Sequence, residues 1–182
     1  MALAHAIMTA LIEQELSGSD LARDFETSLG FFWHASHQQI YQELRKLTAQ
    51  GWLDKRELSQ SGKPNKLLYT LTTAGREELA RWVFGATKTR AAKDELLLKM
   101  YNLDRENAPH LAAEITSRRD EMMRLLYLYE KIHRRHYADP AKMSVRQKGV
   151  YLALIAGIGQ GQQFLTWCDQ ALELLSGLDQ SD

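Results

Sequence analysis

The chain has 182 residues, 45% hydrophobic and 25% charged, with 23 basic and 23 acidic residues and a formal net charge of zero. That length suffices for one or two small domains with a real core, and the charge balance lacks the overall basic excess frequent in nucleic-acid binders. One cysteine, Cys168, excludes an internal disulfide, and the apolar window 150–159 is about half a membrane span. With an N-terminus unlike a signal peptide, a cytoplasmic protein with no membrane contact is expected.

Leu3, Ile7 and Leu11, with Ala6 and Ala10, predict a first helix with one apolar face. Residues 17–20 (Ser-Gly-Ser-Asp) break it, and Ser19 or Asp20 can cap a second helix over 20–28. That helix is expected to bury Leu21, Phe25 and Leu29 and to end at Gly30, with Phe31, Phe32 and Trp33 plugging the base of the cluster. Ser36 caps a third helix whose Ile40, Leu44 and Leu47 face inward. Gln38, Gln42 and Arg45 fall on the opposite face, with His37, Gln39 and Lys46 beside them.

Gly51 ends the third helix. Residues 52–59 and 67–72 read as strands, the second with Leu67, Tyr69 and Leu71 on one face. A fourth helix starts at Thr73 and carries Leu79, Trp82 and Val83. The stretch 84–92 (FGATKTRAA) is the natural boundary, which gives domains 1–86 and 87–182.

A short helix over 94–101 follows, with Leu96, Leu97 and Met100. Then Leu111, Ile115, Arg118, Met122, Leu125, Tyr129, Ile132 and His136 repeat at alternating spacings of 4 and 3. Residues 138–140 stop that helix. Tyr151, Leu154, Ile158, Gly161, Leu165, Cys168, Leu172 and Leu175 repeat in the same way. Two such seams predict an antiparallel hairpin. A lone hairpin rarely buries enough surface, so pairing with a second copy is expected. Leu111, Ile115, Met122, Leu125, Tyr129, Tyr151, Leu154, Ile158, Gly161 and Leu165 are the candidate dimerisation residues.

The order polar-faced helix, strand, basic turn, strand is the sequence form of a DNA-reading helix followed by a wing. Gln pairs adenine and Arg pairs guanine in bidentate fashion. A tip of Ser61, Gly62, Lys63, Pro64, Asn65 and Lys66 suits a close approach to phosphates or the minor groove. Residues 31–66 hold six basic and three acidic side chains, an excess where a DNA footprint would lie. The competing reading is a solvated amphipathic helix beside a surface hairpin.

Other motifs carry less. Glu130, His133 and His136 sit at i, i+3 and i+6, too far around a helix for one metal ion. Ser36 with His34 and His37 lacks an orienting carboxylate for nucleophilic catalysis. Residues 157–161 (Gly-Ile-Gly-Gln-Gly) resemble a phosphate loop in letters only, because no strand precedes them. Ala153, Gly157 and Gly161 instead form a small-residue stripe, for close dimer packing or a ligand cavity. No catalytic set, metal site or cofactor is expected.

The segments Gly18-Ser19-Asp20-Leu21, Ser36 to Leu47, Gly51-Trp52-Leu53 and Tyr69-Thr70-Leu71-Thr72-Thr73-Ala74-Gly75 resemble the PadR family of winged-helix regulators. The run from Gly30 to Gln39 is similar to the AphA-like virulence-regulator branch, which carries a two-helix C-terminal dimerisation region. The resemblance covers nearly the whole chain and is specific in the first 80 residues. One departure is Ser19, which stands where the family commonly has Tyr; looser packing under the second helix or a lost phosphate contact would follow.

The resemblance implies a mainly α fold with a small β-wing, an N-terminal winged helix-turn-helix and a C-terminal two-long-helix dimerisation domain. It implies a homodimeric, non-enzymatic regulator of double-stranded promoter DNA. Ser36, His37, Gln38, Gln39, Tyr41 and Lys46 are then the recognition-helix contacts, joined by Gln42 and Arg45 from the polar face, and Lys63, Asn65 and Lys66 are the wing contacts. Tyr41 has a second reading, ring half-buried with only its hydroxyl offered to a phosphate. A small-molecule effector, if one is used, has Trp82, Trp167 and the glycine stripe as candidate contacts. The alternative class is a ligand- or protein-binding adaptor, which salt-sensitive DNA binding would discriminate against.

Overall fold

The computed structural model describes residues 2–27, 35–59, 65–87 and 93–178. The chain divides into two compact units, residues 1–89 and 90–182.

The first unit runs α1 (Ala2–Ala10), β1 (Leu16–Ser17), α2 (Gly18–Thr27), α3 (His37–Ala49), β2 (Leu53–Leu58), β3 (Lys66–Leu71) and α4 (Thr73–Val83). Helix α1 packs on α2, α3 and α4, and α2 packs on α3. Ile7, Leu21, Ile40, Leu44 and Leu47 are completely enclosed between them. Each such side chain contributes roughly 1.5–3 kcal/mol by leaving water.

Three antiparallel strands form a sheet in the order β1-β3-β2. Leu16 lies opposite Tyr69 and Ser17 opposite Leu68. Strand β2 pairs with β3 from Leu53–Leu71 at the root to Leu58–Lys66. Only Leu53 of β2 is buried; residues 54–58 are exposed, so the β2–β3 ribbon extends from the core as a wing. Leu67 is 45% exposed, against the expectation of an inward face shared with Tyr69 and Leu71. It lies too far along the ribbon to reach the core, whereas Leu68 and Tyr69 are both buried.

The joints are chemically explicit. Helix α3 ends in a Schellman motif, with Gly51 at φ 72°, its N–H bonded to the Thr48 carbonyl and the Trp52 N–H to the Leu47 carbonyl. Thr72 then does two jobs. Its hydroxyl donates to the Gly51 carbonyl at 2.7 Å and accepts from the Gly75 N–H at 3.0 Å, capping α4. Gly75 is buried, and a Cβ there would stand 3.1 Å from the Trp52 carbonyl carbon. These contacts explain residues 69–75 as one device closing the wing's base onto α4.

The ends of two helices add detail. Trp82 is 41% and Val83 66% exposed, because the last turn of α4 runs past the core within this unit. Helix α2 starts two residues earlier than expected, since its cap is Ser17, whose hydroxyl accepts from the Asp20 N–H at 3.2 Å. Leu29, Gly30, Phe31, Phe32 and Trp33 lie outside the described residues.

The second unit holds α5 (Glu95–Met100), α6 (Ala108–His136), a 3₁₀ turn (Pro140–Lys142) and α7 (Val145–Gly177). Ser144 and Gln147 form a capping box at the start of α7. Met122 and Leu126 lie against Gly161, Arg119 Nε bonds Asp169 at 2.7 Å, and His133 stacks on Tyr151. Rising numbers on α6 meet falling numbers on α7, so the hairpin is antiparallel. Arg118 holds the α5 cap residue Asp94 through both carboxylate oxygens, at 2.8 and 2.9 Å.

The heptad seams pack against each other within one chain. Leu111, Ile115, Tyr129, Leu154 and Gly161 are buried there, and Met122, Leu125, Tyr151, Ile158 and Leu165 are partly buried. The five buried residues face the hairpin interior of the single chain. The repeat marked a close helix–helix contact, and the helix connected by a short turn satisfies it first. Residues 157–161 lie inside α7, as a helix and not a phosphate loop. No helix among the described residues is long and apolar enough to cross a membrane.

Candidate nucleic-acid interface

Helix α3 presents two faces of opposite character. Ile40, Leu44 and Leu47 are fully buried, and His37, Gln38, Gln39, Tyr41, Gln42, Arg45 and Lys46 are exposed. The helix is 13 residues long and its polar side chains follow from the same i, i+4, i+7 apolar spacing that anchors it. Its start is rigid. Ser36 Oγ accepts from the Gln39 N–H at 3.3 Å, and the Gln39 side-chain oxygen accepts from the Ser36 N–H at 2.9 Å. This capping box engages two side chains expected as DNA contacts; the Ser-x-x-Gln spacing was the signal for it.

Farther along the face, Lys46 Nζ lies 3.3 Å from Glu43. Tyr41 is 38% exposed, with its ring against Gly18 at the start of α2. Burial raises the Tyr69 phenol above its ordinary range; Tyr41 adds to the rise and Arg45 opposes it.

The wing is braced by ion pairs that the sequence pattern did not reveal. Arg56 on β2 donates to Glu15 from Nε at 2.7 Å and also from Nη2. Asn65 Nδ2 donates to Glu57 at 2.7 Å across the ribbon. Lys66 Nζ lies 2.8 Å from Asp20 on α2. That hydrogen bond outweighs the effect of burial and, with two more from Ser17 and the Lys66 charge, holds the Asp20 carboxyl down at about 2. Lys63 lies outside the described residues. Among the described residues no cluster of His, Cys, Asp or Glu could hold a metal ion.

A three-helix core, a capped helix with a solvent-facing polar side and a braced β-ribbon define a winged helix-turn-helix domain. The comparisons place that domain in a family. Residues 7–81 match the model of the Transcriptional regulator PadR-like family, and residues 92–176 match Virulence activator alpha C-term. The chain is 34% identical to a probable transcriptional regulator of Mycobacterium tuberculosis, covering 96% of this chain and 98% of the relative. It is 34% identical to the negative transcriptional regulator PadR of Bacillus subtilis, over 95% and 97% of the two chains.

Two solved structures share the fold. Bacillus subtilis PadR in complex with operator DNA has a TM-score of 0.77 at 33% identity, covering 96% of this chain and 99% of that one. The Vibrio cholerae virulence activator AphA has a TM-score of 0.75 at 29% identity, covering 97% and 99%. The chain belongs to the PadR-like family of transcriptional regulators.

Proposed function

We propose that this chain binds promoter DNA sequence-specifically as a homodimer, with α3 in the major groove and the wing on the backbone or minor groove. The carrying observation is the face of α3: three fully buried apolar residues fix the helix, and seven polar or aromatic side chains project from it. Gln38, Gln42 and Arg45 supply donors and acceptors for base edges. His37, Tyr41 and Lys46, with Ser36 and Gln39 at the capped start, meet backbone or flanking positions, and Lys63 and Asn65 serve the wing.

The dimer forms through apolar side chains that the hairpin leaves outside, among them Met123, Tyr127, Leu152 and Ile155, all at least 37% exposed. Two copies would set two recognition helices about one DNA turn apart, which requires an imperfect palindrome. Conversion of the wild type, Gln38→Ala and Lys46→Ala into base-preference profiles tests the assignment. Gln38→Ala is expected to relax preference at one position, and Lys46→Ala to weaken every sequence alike. Uniform loss in both variants would remove the base-reading role.

A further inference from the structure

We infer that Asp20 is a positioning residue for DNA binding: through Lys66 it fixes the wing to the start of α2, so Lys66 holds the wing instead of meeting a phosphate. This rests on the DNA-binding reading above.

Asp20 is the hub of a small network. Its Oδ2 receives Lys66 Nζ at 2.8 Å, the Ser17 hydroxyl at 2.7 Å and the Ser17 N–H at 3.1 Å. Its Oδ1 receives Arg23 Nη2 at 3.0 Å. Ser17 belongs to β1 and sits opposite Leu68, two residues along β3 from Lys66. The carboxylate therefore joins α2, β1 and β3 at one point.

The wing needs such a joint. A two-stranded ribbon is marginal by itself, and β2 is exposed from Asp54 to Leu58. Arg56–Glu15 braces one strand, with side chains 54% and 36% exposed; Lys66–Asp20 braces the other and is more sheltered, at 32% and 17%. Sheltered, multiply bonded pairs hold geometry better than open ones.

Charge points the same way. An ammonium neutralised by a carboxylate at 2.8 Å adds no net positive charge to the DNA-facing surface. A phosphate that drew Lys66 away would leave the Asp20 carboxylate facing an anion. The two roles of Lys66 thus compete, and the Ser17 donors serve the tether by fixing the Asp20 carboxylate in place 2.8 Å from Lys66.

The test uses the full chain, duplex from the upstream region of its own gene and a scrambled duplex over a salt series. The variants are Asp20→Asn, Lys66→Gln, the double variant and Lys66→Arg. Simple electrostatics expects Asp20→Asn, which removes a negative charge, to bind DNA more tightly. The tether requires a loss, roughly threefold to tenfold, for Asp20→Asn and for Lys66→Gln. The salt slope should stay unchanged, the double variant should lose no more than either single, and Lys66→Arg should rescue.

Tighter binding by Asp20→Asn, or a slope reduced by about 0.9 in Lys66→Gln as for a lost phosphate contact, would overturn the inference. Hydrogen exchange of the β2 and β3 amides without DNA decides the tether independently. Faster exchange in Asp20→Asn and Lys66→Gln supports it, and unchanged exchange overturns it. A wild type that ignores duplex sequence would sink the regulator reading, while the exchange result still judges the tether.

Discussion

The ring of Tyr41 on α3 lies so close over Gly18 that a Cβ at Gly18 would stand 2.7 Å from Tyr41 Cζ and 2.9 Å from its hydroxyl oxygen. The first residue of α2 is thus kept bare so that the recognition helix can seat an aromatic ring on it. Tyr41 packs its ring on Gly18 and still keeps an exposed edge. Gly18→Ala should push the ring outward and lower DNA affinity with it, at a cost below about 1 kcal/mol, because the atoms met are the far end of a side chain with room to move. In a Tyr41→Ala background the same change should cost much less, as read by urea unfolding. Equal costs in both backgrounds would separate the two residues.

Glycines that look alike in sequence should respond oppositely. A Cβ at Gly75 meets the Trp52 carbonyl, which is backbone and cannot swing away, so Gly75→Ala should destabilise by about 1–3 kcal/mol or more. A Cβ at Gly159, inside α7, meets nothing within 4 Å. Gly159→Ala should stabilise by roughly 0.5–1 kcal/mol. Thermal melting of both variants checks the sign of each.

Asp20 should give stability a specific acid dependence. Its carboxyl titrates at about 2 in the folded chain, below the ordinary value of 3.8, because the Lys66 hydrogen bond leads the stabilisation of its charged form. Burial opposes this, and two hydrogen bonds from Ser17, donated by its hydroxyl and its N–H, reinforce it. A depressed folded value contributes stability above the unfolded value, and that contribution is lost as pH falls toward 2. Asp20→Asn should therefore be less stable than wild type at neutral pH, by on the order of 1 kcal/mol. The difference should close between about pH 4 and pH 2, followed by chemical denaturation across that window.

The apolar side chains outside the hairpin give a direct handle on assembly. Tyr127 is 67% and Leu152 61% exposed. Tyr127→Glu with Leu152→Glu should leave α6 and α7 folded, since neither side chain is in the hairpin interior, and should halve the mass seen by light scattering. An unchanged mass would move the dimer face elsewhere.

Much of the fold was legible because period and punctuation agreed. Ile40, Leu44 and Leu47 fixed the buried face of α3, Gly51 its end, and Pro140 the turn between the long helices. β1 was not legible: two residues, Leu16 and Ser17, cannot display an alternating pattern. The heptads spoke of a partner without saying which, and the second helix of the same chain is the nearer one. At the interface the polar face of α3 was readable from spacing alone. Its internal engagements were not, since Lys66–Asp20 and Arg56–Glu15 join residues 46 and 41 positions apart. The Ser36–Gln39 box was local and readable, yet both residues also fitted a DNA contact.

The most direct measurement is fluorescence anisotropy of the full chain with duplex from its own upstream region, against scrambled duplex, at two salt concentrations. Tight binding to the upstream duplex, weaker binding to the scrambled one and a steep loss with salt are expected of a dimer using α3 and the wing. Equal, weak binding to both duplexes at either salt would contradict sequence-specific recognition by this chain.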